Sequence, residues 1–274
     1  MIDFHCHSTA SDGTCTPVEV AALGRGFRAL ALTDHDNVDG AREFLAASRG
    51  DGVRLAGVEL SVEPGDGYRQ FHLLGLGVDP DSPALAAFLE KIRAGRDARN
   101  LKMIAQLNAI GVAITIEDVK RHSGKKIVAR PHFADALVEK GYAKDASDAF
   151  ARYVAYGAPG YASRYRPDPG EAFDVIHAAG GVAVMAHPKF WTGDSALLRA
   201  GLKRLKERGL DGLEAVYQAN APEETVDHLR AARELDLVAT AGSDFHGAKK
   251  TNSLGMAVDG ESAFVAPLLA KLGL

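Results

Sequence analysis

The feature that most constrains this chain is an alternation. Short apolar runs are followed, again and again, by stretches with helical spacing. "MIDFH", "RALALTDHD", "VRLAGVELSV" and "FHLLGLGV" read as strands in the first third, and "VAVMAHP", "LDGLEAVY" and "LVATAGSDFHG" in the last. Helical patterns such as "TPVEVAALGRG", "NVDGAREFLAASRG" and "SALLRAGLKRLKERG" fall between them. Thr16 and Pro17 are placed to cap and start the first of these helices. Repeated βα units predict parallel strands, about seven here, in a barrel or a doubly wound sheet.

Between residues 82 and 160 the rhythm stops. "SPALAAFLEKIRAGRDARNLKMIAQLNAIG" predicts one long amphipathic helix, its apolar stripe serving packing. Shorter helices are expected at "TIEDVKRHSG", "RPHFADALVEKG" and "DASDAFARYVAYG". The expected organisation is therefore one α/β domain over residues 1–81 and 161–274, interrupted by a helical insertion over 82–160.

Composition excludes several classes. The net charge of −4 argues against extended nucleic-acid binding. No apolar stretch approaches the ~18 residues of a membrane span, and no signal-peptide pattern opens the chain. Two cysteines, Cys6 and Cys15, make no disulfide framework. The expected location is the cytoplasm.

The candidate site lies at strand ends. His5 and His7 close the first strand, and Asp12 follows within "HSTASDG". His35, beside Asp34, closes the second, and Glu59 closes the third. His72 stands at the start of the fourth. His187 closes the fifth, and Asp244 and His246 the last. In barrel enzymes the C-terminal ends of the strands carry the chemistry. Side chains alternate along a strand, so His5 and His7 share a face, as do Asp244 and His246. The same alternation turns Cys6 away and predicts a small buried residue. Six histidines, two aspartates and a glutamate gathered without a cation would be costly. His122, His177 and His228 lie inside helical patterns and read as structural or surface groups. Glu214, at the end of "GLEAVY", reads as a supporting residue. Ser8 has no base arranged beside it to make a nucleophile.

The ordered motifs "HCHSTASDGTCTP", "ALTDHDNVDG", "GVELS", "FHLLGLG", "AHP" and "GSDFHG" resemble the PHP (polymerase and histidinol phosphatase) superfamily. The resemblance spans both halves of the chain outside the insertion. It implies a distorted (βα)7 barrel with a helical insertion domain and three divalent metal ions. By that resemblance His5, His7, Glu59 and Asp244 would hold the first ion. Glu59 would bridge to a second, held by His72 and His187. Asp12, His35 and His246 would hold the third. Many relatives have histidine where this chain has Asp12, and a harder carboxylate favours Mn²⁺, then Fe²⁺, over Zn²⁺. The catalytic group would be a hydroxide held by the ions, with no residue acting as nucleophile.

The insertion, with "ARPHFADALV" and "YASRYRPDP", resembles one branch in particular: 3′,5′-nucleoside bisphosphate phosphatases, together with 5′-to-3′ exoribonucleases that trim short RNA. The expected activity is removal of the 3′-phosphate from a nucleoside 3′,5′-bisphosphate. Lys125, Lys126, Arg130 and His132 of "HSGKKIVARPH", with Arg164 of "SRYRP", are the expected contacts to a second phosphate. Arg130 and His132 are expected in a turn before a helix. The alternatives are a phosphatase for another monoester, such as histidinol phosphate, and a metal-bound nucleic-acid-binding module without catalysis. No obligate protein partner is indicated.

Overall fold

The computed structural model describes residues 1–48, 50, 52–65, 69–123 and 128–274. Among the described residues, seven strands lie side by side in chain order: β1 (Ile2–Asp3), β2 (Ala29–Leu32), β3 (Val53–Val62), β4 (Phe71–Leu76), β5 (Val182–Met185), β6 (Gly212–Tyr217) and β7 (Val238–Gly242). The edges then meet. Phe4 N–H donates to Ala241 O at 2.9 Å, Asp244 N–H to His5 O at 2.8 Å and His7 N–H to Phe245 O at 2.9 Å. The sheet is a nearly closed, distorted barrel, as expected.

One expectation needs correction. β1, β2 and β3 pair in parallel, as do β5, β6 and β7. β4, however, is antiparallel to both β3 and β5. A parallel neighbour would require a crossover of a dozen or more residues. Only residues 63–70 separate β3 from β4, so the chain turns straight back, with Ser61 opposite His72. The reversal puts the start of β4 at the rim where the other strands end.

Local chemistry starts the helices where the sequence indicates. Thr16 and Glu19 form a reciprocal capping box on α1 (Pro17–Leu23), whose first residue is proline. α2 (Ala41–Ala47) follows β2. Later, Asp168 caps α7 (Pro169–Ala178) and Asp194 caps α8 (Ser195–Glu207). α9 (Pro222–Glu234) lies between β6 and β7. The last helix, α10 (Ser262–Lys271), shares a core cluster with Ile2, Val182 and Val238, near the strand starts. A second cluster, with Val20, Leu30, Leu32 and Phe44, lies beneath α1 and α2.

The chain divides into two compact units, Met1–Leu89 with Pro167–Leu274, and Glu90–Arg166. Both boundaries fall later than 81/82 and 160/161. The helix α3 (Pro83–Ala109) begins in the first unit, where Leu85, Phe88 and Leu89 are buried, and continues into the second. Tyr165 packs against Gly95 of α3, which keeps residues 161–166 with the insertion. The second unit also holds α4 (Ile116–Ser123), α5 (Arg130–Glu139) and α6 (Ala146–Ala149), which runs into a π-helical turn at Phe150–Val154. It has its own core, including Met103, Leu107, Phe133, Leu137 and Val154. Among the described residues no helix is long and apolar enough to cross a membrane.

Candidate metal centre

The extension of β1 delivers His5 and His7 to the rim, both fully buried. Cys6 between them points outward, and its Sγ–H reaches Ala31 O at 3.1 Å. The loop carrying Asp12 is fastened from behind. Asp34 accepts Ser8 N–H at 2.8 Å, Ser8 Oγ–H at 2.6 Å and Ser11 Oγ–H at 2.5 Å. Ser8 therefore anchors the loop. A Cβ at Gly13 would stand 2.6 Å from His7 O, so only glycine lets this loop fold so tightly over the ligand strand. His35 follows β2 and Glu59 lies on β3, the two joined by an isolated parallel bridge. His72 reaches the same rim because β4 is reversed. His187 and Asp244 sit just past β5 and β7 in the left-handed region, with φ of +30° and +55°. Non-glycine residues hold that conformation at a cost of about 1–3 kcal/mol, a strain that collects at functional sites.

These side chains converge on shared points. His5 Nε2 and His7 Nε2 lie 3.3 and 3.2 Å from Glu59 Oε2, and 3.6 and 3.3 Å from Asp244 Oδ1. On the other side of Glu59, Oε1 is 2.7 Å from His72 Nδ1 and 3.2 Å from His187 Nε2. Asp12 Oδ1 is 3.2 Å from His246 Nε2 and 3.8 Å from His35 Nε2. His35 Nδ1 also reaches Glu59 Oε2 at 2.9 Å. Among the described residues, three groups have ligand atoms mutually within 4.8 Å: His5, His7 and Asp244; His5, Glu59 and His187; and His7, Asp12, His35 and His246.

A supporting layer orients these groups. Glu214, fully buried on β6, accepts His5 Nδ1–H at 2.9 Å and His187 N–H at 2.6 Å. Asp3 accepts His5 N–H, Ser243 N–H, Ser243 Oγ–H and Gly255 N–H, tying β1 to the segment that carries Asp244. Tyr217 O–H and Lys250 Nζ both donate to Asp244 Oδ2, at 3.1 and 2.6 Å, leaving Oδ1 for the histidines. Sequence reasoning anticipated Glu214, which lies third in β6 and not at its end as expected, but missed Asp3, Tyr217 and Lys250. Asp3 and Tyr217 each lie two or three residues from a residue singled out at a strand end, which is a usable signal. Lys250, on the loop after β7, offers none.

The electrostatics are those of a site that draws positive charge. Burial acts to raise the Glu59 and Asp244 carboxyls. The histidine charges around Glu59, and His7 beside Asp244, overcome it and hold both well below the usual range. Asp12 is held down in the same way by His246 and His35, against its burial. Burial would lower His7, but its contacts with Asp244 and Glu59 lift it to about 9. His5 is likewise raised by Glu214 and Glu59, against its burial. His72 and His246 are lowered, chiefly by burial. The carboxylates thus favour positive charge on His5 and His7 beside them. His5 Nε2, His7 Nε2, Asp12 Oδ1 and Glu59 Oε2 are buried without an aligned hydrogen-bond partner. Buried orphans of this kind need explaining, and divalent cations on imidazole and carboxylate ligands fit the donor set.

In the second unit the expected phosphate contacts part company. Lys125 and Lys126 lie outside the described residues. Arg130 and His132 are in the first turn of α5 itself, because Pro131 is accepted there and His132 Nδ1 receives Ala129 N–H at 3.0 Å as a cap. His132 therefore has a structural task. Arg130 lies over the Tyr161 ring, 5.7 Å from its centroid. Sequence reasoning missed Arg99, which is only 7% exposed. Its Nε has no hydrogen-bond partner. Burial, then the charges of Arg96, Arg164, Arg130 and Arg166, push its pKa down to about 9. His122 and His177 pair with Glu139 and Asp211, each at 2.7 Å, as structural residues do.

The PHP domain model matches residues 3–106. A 3′,5′-nucleoside bisphosphate phosphatase of Chromobacterium violaceum is 38% identical over 249 residues, covering 89% of this chain and 87% of that protein. A 5′-3′ exoribonuclease of Haemophilus influenzae is 34% identical over 247 residues, covering 89% of each. A solved structure from Bifidobacterium adolescentis superposes with a TM-score of 0.80 at 32% identity, over 98% of this chain and 96% of that one.

Proposed function

This chain belongs to the PHP-domain family, whose members include metal-dependent phosphoesterases, and from that premise we propose that it removes the 3′-phosphate of nucleoside 3′,5′-bisphosphates such as adenosine 3′,5′-bisphosphate. His5, His7, Glu59 and Asp244 would hold one divalent ion, Glu59 with His72 and His187 a second, and Asp12, His35 and His246 a third; the carboxylate of Asp12 favours Mn²⁺, with Fe²⁺ or Zn²⁺ next. When bound, such ions acidify a water and neutralise charge on the transferring phosphoryl group. The chain's own residues set the stage. Glu214 fixes the His5 tautomer so that Nε2 faces inward. Tyr217 and Lys250 aim the Asp244 carboxylate. The free thiols Cys6 and Cys15 suit a reducing cytoplasm.

The observation that carries the choice of substrate is the buried Arg99, whose Nε has no hydrogen-bond partner and whose guanidinium feels the charges of four other arginines. A buried guanidinium among like charges calls for an anion. A phosphate suits it, because arginine grips phosphate through parallel hydrogen bonds. Arg130 and Arg164, expected from the sequence, join Arg99, Arg96 and Arg166 as contacts to the second phosphate, and His132 caps the helix that presents Arg130. The relative named as a 5′-3′ exoribonuclease supports short RNA as a second substrate.

The test is phosphate release with Mn²⁺ from adenosine 3′,5′-bisphosphate, 5′-AMP and histidinol phosphate in parallel. Release from the bisphosphate that leaves 5′-AMP intact is expected. Release from histidinol phosphate alone overturns the substrate assignment. Arg99→Ala should lower the preference for the bisphosphate over a nucleoside 3′-monophosphate by about tenfold or more, the worth of one charge-assisted contact.

A further inference from the structure

We propose that Phe190 is a stacking platform for the base of the nucleotide substrate, an inference that rests on the nucleotide reading above. His187 is followed by a single 3-10 turn, Pro188–Phe190. Phe190 is 58% exposed, yet its ring centroid is 5.4 Å from that of His187 and 5.9 Å from that of Tyr217. It is an open aromatic face one ring away from a candidate metal ligand.

The turn is pinned on every side of Phe190. Pro188 is buried. Lys189 Nζ donates to Ala219 O at 2.5 Å and to Glu224 Oε2 at 2.8 Å. Trp191 is buried, and its Nε1–H donates to Arg69 O at 2.8 Å. Its ring lies directly over Gly201 of α8, where a Cβ would collide with it. Phe190 N–H is spent on His187 O at 3.1 Å. A side chain held by such a turn but left open itself is preorganised to receive a flat ligand.

The chemistry of the substrate supplies that ligand. The 3′-oxygen of a nucleotide is separated from its base by one sugar, so a phosphoryl group at the ligand cluster brings the base near the cluster's edge. Phe190 offers a π-face and no polar atom. Every base has a matching π-face, so the platform predicts weak discrimination among the four bases.

The experiment compares adenosine 3′,5′-bisphosphate with its abasic analogue, a ribose carrying both phosphates and no base, on wild type, Phe190→Ala and Phe190→Trp loaded with Mn²⁺. Phe190→Ala should cut the ratio of kcat/KM, nucleotide over abasic, about tenfold, or about 1.4 kcal/mol, through KM. Phe190→Trp should restore the ratio. Equal losses on both substrates would mean that Phe190 only supports His187, and an unchanged ratio would mean no stacking; either overturns the proposal. Equilibrium binding of 5′-AMP to the same three proteins separates this inference from the substrate reading. Binding weakened about tenfold in Phe190→Ala supports the platform even if wild type fails to hydrolyse the bisphosphate. No binding of 5′-AMP to wild type, or equal binding to all three, overturns it.

Discussion

Glu214→Gln removes one charge and almost no volume from the layer behind the ligands. Glu214 accepts two hydrogen bonds, one on each oxygen: from His5 Nδ1–H at 2.9 Å and from His187 N–H at 2.6 Å. An amide has one oxygen and one NH₂. If the NH₂ faces His187 N–H, two donors oppose each other in a fully buried place. If it faces His5, the ring must accept at Nδ1 and carry its proton on Nε2, the atom that points at Glu59 and Asp244. One ligand is then lost to the wrong tautomer. Either way about one charge-assisted hydrogen bond goes, worth roughly 1.5–3 kcal/mol. At about 1.4 kcal/mol per factor of ten, that is one to two powers of ten, the range found for residues that orient metal ligands. The assay is Mn²⁺ retention against a graded chelator, with phosphate release measured on fully loaded protein. Metal affinity should fall about 10- to 100-fold. Wild-type retention and turnover in the Glu214→Gln variant would refute both the tautomer argument and the place of His5 among the ligands.

Chelator treatment should lower the thermal midpoint. An ion held at about 100 times its Kd contributes roughly 2.7 kcal/mol, or about 5–10 °C for a chain of this size, read by calorimetry with and without Mn²⁺. In the metal-free protein, protonated His7 stabilises the fold fully below its ordinary pKa, and that contribution is lost as pH rises through about 9. A cation must displace this proton, so apparent metal affinity should rise about tenfold per pH unit per proton up to about pH 9. Proton uptake or release, measured by titration in buffers of different ionisation heat, checks the sign. Gly201→Ala drives a methyl group into the Trp191 ring and should cost about 1–3 kcal/mol in denaturant unfolding. Leu137→Ala, in the core of the second unit, should cost about 2–5 kcal/mol, seen as faster hydrogen exchange in α5.

The residue types at the strand ends were readable from the chain alone, because strand alternation is a local property. His5, Cys6 and His7 show it: two rings in, one thiol out. Helix starts were equally local, as Thr16, Pro17 and Glu19 demonstrate. The reversal of β4 was not. Whether a strand runs parallel depends on how its neighbours pair and on the length of the connection; the short turn "EPGDG" between the third and fourth strands is legible in the sequence, but the βα rhythm outweighed what it says about direction. That reversal explains why His72, at the wrong end of its strand by the barrel rule, still reaches the common rim. Arg99 was hidden for a similar reason. In sequence it is one more charge on a long helix, and its burial within reach of the charges of Arg130, Arg164 and Arg166 exists only once the second unit has folded. Asp3 acquires its role only across the closed barrel, where it is bonded to Ser243, 240 positions away. Lys250 acquires its role only when the loop after β7 folds back over Asp244. The sequence by itself determined the ligand chemistry and the βα rhythm, since both follow from spacing along the chain. The tertiary structure decided strand direction, which charges are buried, and which polar groups hold the ligands in place, because each of these depends on contacts that the chain makes only after it has folded.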